Sequence, residues 1–248
     1  MNRRARFLIR IALCVLAVFI FLTKAADAAK KSGKEGTKKE APAFRYDEGS
    51  KRHVLDTPGF RAEFLPSGFT FVQKKKTEEG KPVRFAFEGF YQGENRLFSS
   101  GSADAPSVRT EDGGKLLIFD RKDYREVYES LRRGFLQVYV VNTVPSRDKD
   151  LILKAKLSTA LSLVPNGEKG YSIKDNDKTV SVFTQRVVLD KNLKKLPLKT
   201  VLKGDMLEIT IPSKFLSEAE FPLMIVPYQA AEAGRQTPKS FKWRSTTQ

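Results

Sequence analysis

The stretch FRAEFLPSGFTFVQ, residues 60–73, decides the fold class. Phe60, Ala62 and Phe64 alternate with Arg61 and Glu63, then Pro66-Ser67-Gly68 interrupts, then Phe69 and Phe71 resume the alternation. A period of two places successive side chains on opposite faces of an extended chain. A Pro-Ser-Gly break between two such runs is turn chemistry, so the segment reads as a β-hairpin.

The same grammar extends outward on both sides. VRFAFEGF sets Val83, Phe85 and Phe87 against Arg84, Ala86 and Glu88. KLLIF (115–119) is a short buried run, and GFLQVYVVN (134–142) is apolar at both parities, as a strand covered on both faces would be. DLILKAKL alternates Leu151, Leu153, Ala155 and Leu157 with Lys154 and Lys156. GYSIKDNDKTVSVF is a second hairpin, turning at Asp175-Asn176-Asp177, and DMLEITIP and FPLMIV complete the set. Short strands with turn signals every 8–12 residues point to an all-β, antiparallel sandwich of roughly a dozen strands with at most one or two short helical segments. PSKFLSEAEFP (212–222) is one such helical turn, with Ser217 as a candidate cap. The segment 124–133 reads on its residues as a short helix: Tyr124, Val127, Tyr128 and Leu131 fall at i, i+3, i+4 and i+7, with Gly134 where a helix would end.

The chain opens differently. Arg3, Arg4, Arg6 and Arg10 precede the uncharged apolar run Ile11–Leu22, and Ala26-Asp27-Ala28 supplies a small-x-small pattern. These are the parts of a cleavable secretory signal, with cleavage expected between Ala28 and Ala29. Spanning a bilayer takes about 20 apolar residues, more than lie between Arg10 and Lys24, so a retained anchor is the weaker reading. Residues 29–52, rich in Lys, Glu and Gly, read as a basic flexible linker. Residues 53–228 are the sandwich domain, in one piece or as two sub-sandwiches, and 229–248 a polar tail in which Phe241 and Trp243 stand out.

Charge and composition narrow the chemistry. The net charge is +16, of which the signal takes +4 and the linker +4, leaving +8 for the body. Such a surface suits solubility or an anionic partner: a polysaccharide, lipid headgroups or another envelope protein. Nucleic acid is not expected, because the chain is exported and holds no recognisable nucleic-acid motif. Cys14 lies within the signal, follows Leu13 rather than a small residue, and leaves a mature chain without thiols, disulfides or thiolate metal sites.

No constellation of catalytic residues stands out. His53 is the only histidine, and no G-x-S-x-G elbow accompanies it. Asp175, Asn176 and Asp177 lack the glycine and distant Glu of a calcium loop and fit a hairpin turn. Gly113-Gly114 lacks the Lys-Ser/Thr of a phosphate loop. Glu88, Glu94, Glu126 and Glu129 are acids near aromatics, but no spacing singles out a pair for glycoside hydrolysis. The expectation is a protein that is not an enzyme, with no metal or cofactor; a carbohydrate-binding or carbohydrate-active protein is the alternative. Candidate anion-binding residues are Lys74, Lys75 and Lys76 together with Arg132 and Arg133, and Tyr91, Tyr124 and Tyr128 are candidates for an aromatic platform.

From about residue 55 to 228 the order of these pieces resembles a β-sandwich module found just behind the signal peptide of large secreted bacterial proteins with propeller-like repeats. FRAEFLPSGFTF is similar to its opening hairpin, REVYESLRRGFLQVYVV to its tyrosine–glycine–apolar strand step, and FPLMIVPY to its last strand. The resemblance implies a sandwich fold in a surface or extracellular protein, sets a strand and turn at 124–133 against the helical reading, and brings no catalytic residue. The chain departs from the module where Gly134 is followed by Phe135, Leu136 and Gln137 without an acid, and where Val226 stands before Pro227. Nor do repeats follow the final strand.

Overall fold

The structure is a computed structural model that describes residues 42–74, 80–99, 106–111, 114–131, 134–165, 170–184 and 187–231. They form an all-β fold of antiparallel strands with one short helix. The FRAEFLPSGFTFVQ hairpin pairs β3 (Phe60–Leu65) with β4 (Gly68–Gln73), Leu65 opposite Gly68. Gly68 is required here: its φ is +137°, and a Cβ would lie 2.1 Å from the Phe85 carbonyl oxygen.

Three sheets result. The largest runs from β1 (Arg45–Asp47) through β2 (Arg52–Asp56), β3, β4, β5 (Val83–Gln92), β11 (Leu151–Thr159) and β18 (Met206–Ile211) to β17 (Lys199–Lys203), with β6 (Asn95–Ser99) also beside β5. The second has seven strands: β16 (Lys195–Pro197), β15 (Val187–Leu189), β19 (Leu223–Ala231), β10 (Gly134–Val141), β9 (Tyr124–Leu131), β8 (Gly114–Asp120) and β7 (Ser107–Glu111). A three-stranded sheet joins β12 (Ser162–Pro165), β13 (Gly170–Asp175) and β14 (Lys178–Thr184). Asn176 and Asp177 form the β13–β14 turn, Asn176 at φ +54°, a region that Asn tolerates.

The two large sheets face each other across an aromatic core. Ring centroids of Phe64 and Tyr128 lie 4.6 Å apart, those of Phe69 and Phe135 4.8 Å, and those of Phe87 and Tyr139 4.8 Å. Such edge and tilted contacts add to the apolar burial of each ring. Leu55, Leu153, Ile209 and Ile211 extend the core along the larger sheet.

The segment from Tyr124 is a strand, and the helical reading is corrected. Tyr124, Glu126, Tyr128 and Ser130 face the core, while Val127 packs on the opposite face with Ile118 and Val138. A strand covered on both faces carries apolar residues at both parities, and here they coincide with helical spacing. The expected linker is also shorter than its composition suggests. Phe44 is buried with its ring edge 5.3 Å from Phe64, and β1 and β2 draw residues 45–56 into the sheet. His53 is half-buried beside Tyr46, and burial pushes its pKa down.

The helix expected at 212–222 is present as α1 (Ser213–Glu218), with Phe215 and Leu216 in the core. Its cap comes from a distant residue: Ser213 N–H donates to Asp150 Oδ1 at 2.7 Å, whereas Ser217 Oγ donates back to the Lys214 carbonyl. Other loops are held by buried side chains. Gln92 Nε2 donates to the carbonyls of Ser146 and Lys149, and Asp190 Oδ1 accepts from the backbone of Asn192 and Lys194.

Candidate functional site

The alternation in DLILKAKL fixes one set of functional side chains. With Leu151, Leu153, Ala155 and Leu157 in the core, Ile152, Lys154, Lys156 and Ser158 take the outer face. Pairing then sets the rows. Lys154 stands opposite Glu208, which stands opposite Val201; Lys156 is opposite Met206, which is opposite Lys203; Ser158 is opposite Arg84. Lys199 is opposite Thr210, itself opposite Ile152, whose other neighbour is Tyr91. Directly paired residues share a face, so Arg84, Lys154, Lys156, Lys199 and Lys203 lie on one surface across four strands.

The ion pairs on this surface are incomplete. Lys154 Nζ lies 3.7 Å from Glu208 Oε1 and 4.7 Å from the centroid of the Tyr91 ring. Lys203 Nζ is 2.6 Å from Glu208 Oε2, and its hydrogen bond holds that carboxyl below the usual range. Lys156 Nζ is 3.0 Å from Asp205 Oδ2, which raises the lysine's pKa. Arg84 and Lys199 have no ion pair among the described residues. The far end of the sheet is more evenly balanced, with Arg45 and Lys74 on Asp56, Arg52 on Glu63, and Arg61 between Asp47 and Glu63. The β5–β11–β18–β17 surface is therefore an exposed cationic shelf with one aromatic ring beside it. It can attract and hydrogen-bond anionic groups.

The second concentration of polar chemistry is buried between the sheets. Glu126 is wholly enclosed; its Oε1 accepts from Tyr128 Oη at 2.6 Å and from Gln137 Nε2 at 2.8 Å. Gln137 Nε2 also lies 2.9 Å from Tyr139 Oη. Arg121 Nη2 stands 3.8 Å from Glu126 Oε2, with its guanidinium over the Tyr124 ring and a donor on the Pro66 carbonyl. Burial raises the pKa of Glu126 above its ordinary value, and it raises Tyr128 and Tyr139 as well. This network ties β9 to β10 and, through Arg121, to the β3–β4 turn.

The residues singled out from sequence are dispersed. Tyr91 lies on the cationic shelf, but Tyr124 and Tyr128 are 2% and 0% exposed, so the three rings form no surface platform. Tyrosines at the even positions of β9 face the opposing sheet, where their rings fill the core. Lys74 is paired with Asp56 at the edge of the sheet. Lys75, Lys76, Arg132 and Arg133, like the cleavage residues Ala26, Ala28 and Ala29, lie outside the described residues. The four acids do not converge: Glu88 is on β5 of the nine-stranded sheet, Glu94 in the β5–β6 turn, Glu126 in the core and Glu129 on the outer face of the seven-stranded sheet. Asp175 accepts from Lys81 Nζ at the hairpin turn. Among the described residues no group of three or more His, Cys, Asp or Glu is placed to hold a metal ion, and no helix is long and apolar enough to cross a membrane.

The shelf residues were visible only as the polar half of an alternation. Nothing in the chain order announces that Arg84, Lys156 and Lys203 share a surface, because β5, β11 and β17 are far apart in sequence. Compared with protein families, with curated proteins and with solved structures, the chain matches none.

Proposed function

We propose that this is an exported, non-enzymatic β-sandwich protein that binds or scaffolds material of the bacterial envelope or extracellular space, with an anionic polysaccharide held on the outer face of the nine-stranded sheet. The observation that carries the reading is the row structure that sets Arg84, Lys154, Lys156, Lys199 and Lys203 on one exposed surface. The +12 that remains once the signal's +4 is removed (16 − 4) favours anionic partners at long range, and the shelf gives that attraction a place. The Tyr91 ring, with the Lys154 ammonium 4.7 Å from its centroid, adds an apolar plane against which a sugar ring can lie. The basic start, apolar run and Ala26-Asp27-Ala28 pattern support export.

The test is retention on immobilised heparin beside uncharged dextran, across a salt series. The chain is expected to bind heparin at low salt, to elute as salt rises, and to lose most retention in the Lys154→Glu/Lys156→Glu/Lys203→Glu variant, because diffuse charge acts through a screened field. Equal binding to dextran, or a triple variant retained like the parent, sinks the proposal. Preference for anionic lipid vesicles over heparin would transfer the shelf to lipid headgroups.

A further inference from the structure

The outer face of the nine-stranded sheet carries an ordered diagonal of charges. Ser158 is opposite Arg84, so Lys156 stands one strand across and two residues along from that arginine. The same step from Lys156 passes Met206 and reaches Glu208, and from Glu208 it passes Val201 and reaches Lys199. With about 4.8 Å between strands and about 3.4 Å per residue, each step is about 8 Å and the diagonal about 25 Å long. Arg84, Lys156 and Lys199 are exposed. Among the described residues Arg84 and Lys199 have no ion pair, and Lys156 is paired with Asp205 where both side chains are half open to water. Such a pair gives way to a competing anion at little cost. At the middle the cations are already engaged. Lys154 and Lys203 flank Glu208, with Nζ atoms 3.7 Å from Oε1 and 2.6 Å from Oε2. Lys154 also packs on the Tyr91 ring, and Val201 beside Glu208 is partly exposed.

Given the binding role proposed for this face, we propose that its ligand is a sparsely charged linear polysaccharide lying along the diagonal. Its acidic groups sit at Arg84 and Lys156 at one end and at Lys199 at the other, with uncharged sugars between them over Glu208 and the Tyr91 ring. Glu208 Oε1 is only loosely held by Lys154, and a carboxylate oxygen has lone pairs to spare for a sugar hydroxyl. An acidic group at the same place would meet a like charge, so Glu208 is the specificity-determining residue and acts by rejection. Tyr91 and Val201 offer apolar surface on either side of it, which suits the C–H face of an uncharged sugar. Lys156 and Lys199 are about 17 Å apart, so the two ends are served by acids well separated along one polymer. A single headgroup or monosaccharide reaches one end alone.

The test is titration calorimetry at fixed salt with two sets of oligosaccharides of equal length. Fragments of deacylated gellan have uronates separated by uncharged sugars, and oligogalacturonates carry an acid on every sugar. The parent is expected to bind the gellan fragments more tightly, although they carry less charge. Glu208→Gln should strengthen oligogalacturonate binding about fivefold, the upper end for one exposed charge, and leave gellan binding within about twofold. Lys199→Ser should weaken long gellan fragments and leave fragments with a single uronate unchanged. Oligogalacturonates preferred by the parent would mean that charge density alone sets the order, and that overturns the proposal. So does a Glu208→Gln variant that shifts both ligands alike. Retention on heparin keeps the two readings apart: heparin binding lost in the triple lysine variant, with no preference for gellan, leaves the anionic-polymer reading standing and removes this one. Absence of heparin binding in the parent removes both.

Discussion

Tyr128 Oη donates to Glu126 Oε1 at 2.6 Å, between two residues of a single strand, with both side chains sealed in the core. Positions i and i+2 of a strand share a face, so the pair is local in sequence although its enclosure is not. The hydroxyl has no water to turn to, and the carboxyl group keeps its place because Tyr128 and Gln137 both donate to its Oε1.

Burial makes Glu126 a source of pH dependence. Its pKa is raised above the ordinary 4.5, so the folded chain holds a proton that the unfolded chain releases. Its contribution to stability is complete below the unfolded value and is lost as pH rises through the folded one. Glu126→Gln stays neutral throughout and keeps an acceptor for Tyr128. Its melting temperature relative to the parent is therefore expected to climb between about pH 4 and about pH 7.5, as calorimetry at both would show. A constant difference would mean the carboxyl titrates alike in both states.

Phe64 joins the two sheets, with Phe44, Tyr128 and Phe135 at ring separations of 4.6 to 5.3 Å. Phe64→Ala should cost about 3–5 kcal/mol in urea unfolding, because transfer energy and a residual cavity add. A loss under about 1 kcal/mol would mean that the sheets close over the gap.

Gly68→Ala is expected to destabilise the protein by more than about 1 kcal/mol, since the φ of +137° and the Phe85 carbonyl both exclude a Cβ. The denaturation midpoint of this variant is the measurement. Gly204 has φ +63° with open space around it, and serves as a control for backbone strain without the steric contact.

Leu193 has φ +65° and is half exposed, in the tight loop that Asp190 organises. Asn tolerates this region better than Leu. Leu193→Asn should raise stability by up to about 1 kcal/mol, visible as a higher urea midpoint. No gain would mean that the leucine's contacts outweigh the strain.

Much of the fold was legible in the chain. The strands at 60–73, 83–92, 151–159 and 170–184 follow from alternation and turn residues that act over two to four positions. The segment 124–131 was not, because Val127 and Leu131 owe their apolar character to the outer face of the seven-stranded sheet, which the chain order does not reveal. The same holds for Phe44, whose place against Phe64 makes a strand approach out of what composition alone marks as linker. The site residues fared worse. Tyrosines near an apolar run look alike whether they face solvent or another sheet, and Tyr124 and Tyr128 face the other sheet.

By itself, then, the sequence determined the class of structure: antiparallel strands, their turns and the parity of each side chain, all set by steric and hydrophobic preferences within a few residues. Only the tertiary structure decided which parities meet. Lys156 and Lys203 become row neighbours because β11 and β17 flank β18, and Glu129 sits in an apolar face because β8 and β10 flank β9. Strand order is fixed by long-range pairing, and that pairing has no local signature in the chain.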